Sequence, residues 1–160
     1  MKTILRLLIG LLFVGHGTQK LFGWFGGHGP DGTGQFFESI GLKPGRDHAV
    51  RAGAAEAGGG ALLAAGLLTP VAASLITASM TTAIRAVHGS NEPWNEGGGW
   101  EFNAVLIAAV GALAHSGPGD LSLDRMLGAD MSGMPAALAA LGAGAAASYS
   151  VSIETPVDSG

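Results

Sequence analysis

No residue of this 160-residue chain is cysteine, and only 12% are Asp, Glu, Lys or Arg, about half the charged share of an average soluble domain. The missing cysteine excludes disulfides, thiolate metal sites and Cys-based redox chemistry within the chain. Any electron transfer would need a bound cofactor or a partner protein. The scarcity of charge, with a net charge of -4 and no basic cluster, excludes a nucleic-acid partner, since nothing is there to neutralise a phosphate backbone. Soluble-enzyme motifs are missing as well. There is no H-E-x-x-H and no P-loop lysine pattern. Gly26-Gly27-His28-Gly29 lacks the strand-then-helix setting of a dinucleotide fingerprint, and the loop His28 to Gly32 offers too few ligands to hold a metal. No metal site is expected.

What the chain does have is apolar length. Mean hydropathy is +0.39, and 28 glycines lie largely inside apolar runs, where membrane helices accept them more readily than soluble ones do. Four runs approach the roughly 20 residues that cross a bilayer core: Thr3 to Trp24, Val50 to Leu68, Val71 to His88, and Trp100 to Ser116. Lys2 followed by apolar Ile4 to Val14 has the outline of a signal peptide, but Gly15-His16-Gly17 is a poor cleavage site, so an uncleaved first helix is expected. Thr69-Pro70 makes a very short turn and Gly117-Pro118-Gly119 ends the fourth run. The longer loops, Phe25 to Ala49 and Gly89 to Gly99, share one side, and a short amphipathic helix is expected around Gln35 to Ile40. Short alternating connections predict an all-α integral membrane protein, an antiparallel four-helix bundle over residues 1–127. Residues 128–160 read as an Ala/Gly-rich tail, a surface helix or an unstructured segment rather than a fifth span.

Two charges break the apolar pattern, Glu56 in the second run and Arg85 in the third. An ionisable group in the bilayer costs roughly 2.5–3.5 kcal/mol, so each needs a partner or a function. In an antiparallel bundle, His16, Gln19 and Lys20 at the end of span one, Glu56 near the start of span two, Arg85 and His88 ending span three, and Glu101 with Asn103 starting span four all fall on one side. The i, i+3, i+4 spacing of the first three puts them on one helix face. Glu56 is expected to pair with Arg85, and Lys20 with Glu101, which would offset desolvation.

A structural reading stands beside each of these. Glu56 with Arg85 can be a strut between helices. His16 can simply donate to a backbone carbonyl, and Lys20 can be an anchor with its head among lipid headgroups. Trp24, Trp94 and Trp100 suit an interfacial belt. Lys and Arg divide between the two sides (Lys2, Arg6 and Arg125 against Lys20, Lys43, Arg46 and Arg51), so charge alone does not set the orientation.

The run His16-Gly17-Thr18-Gln19-Lys20-Leu21-Phe22-Gly23 resembles the HG-x-QK-x-FG signature of the DoxX family. Glu56 to Leu63 with Gly66 to Pro70 resembles that family's second span, Met80 to His88 its third, and Glu101 with Gly117 to Asp124 its fourth span and exit. The resemblance implies a four-helix protein of the bacterial plasma membrane with both ends cytoplasmic and the polar cluster in the outer half of the bilayer. It also implies redox connections. The expected function is a small membrane subunit of a redox-associated complex. Its cluster of His16, Gln19, Lys20, Glu56, Arg85, His88 and Glu101 would hold a quinone headgroup or small anion, with no covalent cofactor. Its expected partners are lipid and other membrane redox proteins. The alternatives are a non-catalytic scaffold and a proton or small-solute transporter, the latter opposed by an almost purely apolar opposite half with only Arg6 and His115 in it.

Overall fold

Glycine and proline punctuate the helices where the sequence places them. A computed structural model describes residues 1–154 and contains, among those residues, seven α-helices and no strand. Helix α1 (Lys2–Phe22) stops at Gly23, whose φ of 70° and N–H bond to the Gln19 carbonyl form a left-handed cap. Helix α2 (Gly29–Ser39) carries Pro30 in its first turn and is the expected amphipathic helix, begun earlier than expected. Helix α3 (Gly45–Ala65) follows the extended Pro44 and ends at Gly66, φ 63°. Helix α4 (Thr69–Ala83) runs directly into one π-helical turn, Ile84–His88. Helix α5 (Glu101–Ser116), the single turn α6 (Leu123–Met126) and α7 (Met134–Tyr149) complete the order.

Helix α3 corrects the second predicted span. It begins at Gly45 rather than near Val50, and its first two turns carry Arg46, Asp47, His48 and Arg51. Apolarity marked only the inner part of a helix whose polar start continues outward. Glu56 therefore lies about three turns along α3, not one.

Helix α1 packs antiparallel on α3 through glycine. A Cβ on Gly10 would lie 2.6 Å from the Gly60 carbonyl oxygen, and one on Gly17 would collide with the backbone of Ala57. Helices α3, α4 and α5 then follow in a row, each packed on its neighbour in sequence. Ile9, Phe13, Leu63, Ile76, Val110 and Leu113 fill the centre. The four expected helices are present, but not as a simple four-helix bundle. Helix α1 packs chiefly on α3 and touches α5 only sparsely, Lys2 bonding the Ser116 carbonyl at its end. The close glycine contact holds α1 against α3.

A fifth long helix takes part instead. The Ala/Gly-rich segment expected as a surface helix or unstructured tail is α7, which lies parallel to α4 and also packs on α5. Ala137 and Ala140 join the core, Gly144 sits against Ser74 and Thr77, and Thr82 donates to Ser148 Oγ at 2.9 Å. Small side chains bury little area each but let two backbones approach closely, and that contact holds helices together where lipid removes the hydrophobic drive. Residues 155–160 of the predicted tail lie outside the described residues.

By length and composition, Lys2–Phe22 and Thr69–His88 can each cross a membrane. Helices α5 and α7 are apolar but have 16 residues each, about 24 Å of helix. At the N-terminal end Asp124 accepts from the Leu68 and Thr69 amides and from Thr69 Oγ1 at 2.8, 3.1 and 2.9 Å, capping α4. Buried Arg6 donates to the Leu121 carbonyl at 2.6 Å. Lys2 bonds the Ser116 carbonyl at this end, whereas Glu154 bonds Gly41 at the long-loop end. The tail does not stay on the N-terminal side, because α7 carries the chain back across the molecule.

Candidate functional site

Between α1, α3, α4 and α5, on the long-loop half, lies a cavity of about 560 Å³. Ile9, Leu12, Phe13, Met80, Phe102 and Leu106 supply much of its apolar wall, α2 covers it with Phe36 and Phe37, and the end of α7 reaches it with Ala147 and Ser148. Leu12 and Phe102, 54% and 56% exposed, stand on α1 and α5. The cavity thus has a lateral side bordered by exposed apolar residues. The π-helical turn of α4 lines it through Ala86, Val87 and His88, and such turns recur at functional sites.

Glu56 is its central polar group. Its carboxylate is 5% exposed and accepts from Lys20 Nζ at 2.6 Å on one oxygen and from Ser79 Oγ at 2.7 Å on the other. The expected Glu56–Arg85 and Lys20–Glu101 pairs do not form. Lys20 turns inward, 22% exposed, rather than anchoring in the headgroup region. It can do so because Gly17, one turn earlier, brings α1 against α3, and Lys20 then reaches along α3 to Glu56.

Arg85 faces the other side of α4. Its guanidinium donates to the carbonyl of Ser148 and, at 3.4 Å, to that of Val151, and it lies 4.4 Å from the centre of the Tyr149 ring. A cation at carbonyls of a helix C-terminus is favourable, so Arg85 caps α7. The sequence pointed to no partner there because α7 was not counted among the packed helices.

Of the remaining expected site residues, His16 and His88 line the cavity and Gln19 and Glu101 do not. Gln19 braces His16, Oε1 to Nδ1 at 3.2 Å, and its amide donates to the Phe25 carbonyl at 3.3 Å. Glu101 accepts from the Asn95 amide at 2.7 Å and so fastens the preceding loop to the first turn of α5. The His88 ring is 2.7 Å from the Gly98 carbonyl of the same loop. The cavity wall also holds Ser79, Asn103, His48 and Arg51. Of these, Asn103 is expected on this side from the sequence. Serine in an apolar run carries no signal of its own, His48 joins the site because α3 extends outward to Gly45, and Arg51 reads in the sequence only as a cation of the long-loop side. Apart from Glu56, the ionisable groups on the wall are basic: Lys20, Arg51 and the three histidines His16, His48 and His88.

The DoxX family model matches residues 1–89, which include α1 to α4 and every basic group on the cavity wall. The uncharacterized membrane protein Rv3486 of Mycobacterium tuberculosis is similar at 33% identity over 135 residues, 77% of this chain and 78% of that protein. No solved structure matches the chain.

Proposed function

Because the chain belongs to the DoxX family and is a membrane protein, we propose that its intramembrane cavity binds a lipid-soluble quinone and that it serves as a membrane subunit of a redox-associated assembly. One observation carries the reading: a mostly apolar cavity of about 560 Å³ holds a hydrogen-bonded polar cluster of Lys20, Glu56 and Ser79. An apolar cavity with a few convergent polar groups is the usual form of a small-molecule site. A quinone has an apolar ring and tail and two carbonyl oxygens that accept hydrogen bonds. Lys20 has three donors and spends one on Glu56. His16 and Arg51, which also line the cavity, supply others. The two protons that accompany two-electron reduction to the quinol would come from water, relayed through a histidine or Lys20 with Glu56 as counter-charge. The two electrons would come from a partner, since this chain has no cysteine. The lateral side between α1 and α5 suits a ligand dissolved in the bilayer. The site would lie in the outer half of a bacterial plasma membrane.

A scaffold role is the second reading, favoured by the saturation of Glu56, both of whose oxygens already have partners. Transport is opposed by the apolar core of Leu63, Ile76, Val110 and Leu113 on the N-terminal side of the cavity. The test is purification in mild detergent, with an absorption spectrum and mass spectrometry of bound lipids and proteins. Quinone present in the native protein and reduced at least tenfold in Glu56→Gln and Lys20→Met is the expected result. Phospholipid alone, with a partner protein retained by both variants, would establish the scaffold instead.

A further inference from the structure

After α7 the chain turns back over the long-loop end of the cavity. Val151, half-buried, is part of the cavity wall. Three residues on, the Glu154 amide donates to the Gly41 carbonyl at 2.8 Å, and Lys43 lies 3.2 Å from the Glu154 carboxylate. Gly41 has a φ of 84°, and a Cβ there would strike the Glu154 carbonyl, so the turn between α2 and α3 receives the segment backbone to backbone. Arg85, reaching from α4, holds the carbonyl of Val151.

Strong and weak attachments are sharply divided here. Up to Ser148 the chain is embedded, with Gly144 against α4 and Ser148 bonded to Thr82. From Val151 to Glu154, the last described residue, no helix is present. The attachments there are the Val151 amide to the Ser148 carbonyl, one backbone bond to Gly41, a long bond from Arg85, and an ion pair whose side chains are 56% and 60% exposed. An ion pair that exposed contributes little to holding the segment. Local opening begins where buried contacts are few.

We propose that Val151–Glu154 is a releasable strap that closes the cavity to water at the long-loop end, with Ser150 as its hinge and the turn at Gly41 as its catch. The proposal rests on the cavity being the ligand site, and it adds a control on it. With the strap down, the cavity communicates with the lipid side between α1 and α5; with the strap released, it also opens to the aqueous face.

The chain has no cysteine, so a single introduced thiol reports access without interference and without any ligand. Ala83→Cys places one on the cavity wall, and its reaction with a charged, membrane-impermeant maleimide is followed in vesicles with reagent on both faces. Glu154→Pro, which removes the donor to Gly41, and Gly41→Leu, which obstructs the catch, are each added to that background. Labelling at least tenfold faster in both, with a control thiol at exposed Glu96 unchanged, is the expected result. If Gly41→Leu does not fold, Glu154→Pro alone decides. Equal rates with and without the strap, or no labelling in any background, would overturn the proposal. Loss of bound quinone in Glu56→Gln is read separately, so a strap that fails leaves the ligand reading standing, and the reverse.

Discussion

At the scale of single residues, the pairing of Glu56 decides the site. Depth along the helices placed Glu56 and Arg85 together, and depth was a fair guide to which end of the molecule each occupies. It could not say which way each side chain turns about its helix. Glu56 turns toward α1 and finds Lys20, while Arg85 turns toward α7 and finds the carbonyls of its last turn. Removing one partner of a buried pair leaves an uncompensated charge, whereas replacing both with apolar groups is often neutral. Lys20→Met is therefore expected to destabilise the protein by about 3 kcal/mol, and Lys20→Met with Glu56→Leu to recover most of that loss. Denaturation followed by circular dichroism in detergent measures both. A double variant no more stable than the single would mean that the pair contributes beyond neutralising charge.

At the scale of helices, glycine marks contact, but only some glycines do. The first two apolar runs carry many small residues, and small residues let membrane helices approach closely. Which of them touch was not legible, because spacing is the same on every face of a helix. Gly10, Gly17 and Gly60 lie in the α1–α3 contact with no room for a Cβ, while Gly15 and Gly58 have nothing within 4 Å of one. Gly17→Val is expected to cost about 3 kcal/mol or more by forcing the two backbones apart, and with them the Lys20–Glu56 geometry. Gly58→Ala should be neutral or stabilise by up to about 1 kcal/mol from helix propensity. The same unfolding measurement compares them; similar losses in both would mean that the contact face has been misassigned. Asp124 illustrates the opposite case. It was visible only as part of a helix exit, yet it caps α4 across more than 50 residues of sequence, a long-range partnership with no local signature.

At the scale of the whole molecule, α7 changes the topology. Four apolar spans with a trailing tail would leave both ends of the chain on one side. A fifth long helix, parallel to α4 and packed on α4 and α5, carries Glu154 to the end of the molecule opposite Met1. Reporter tags fused at the two termini are expected to be accessible from opposite sides of sealed membrane vesicles. Accessibility from the same side would show that α7 does not cross. Helix α1 is committed to α3 by glycine contact and α5 packs on α4 and α7, so α1 and α5 touch only sparsely.

The sequence by itself determined the elements: the apolar runs, the glycine and proline stops between them, the membrane setting, and the half of the molecule in which the polar groups collect. Those properties follow from local composition and from chain direction, which any up-and-down arrangement preserves. Tertiary structure decided the partners, the cavity, the fifth packed helix and the segment lying over the long-loop end of the cavity. Each depends on the rotation of helices about their own axes and on backbone contacts between residues far apart in sequence. An Ala- and Gly-rich stretch reads as weak until the complementary surface of α4 is in place beside it.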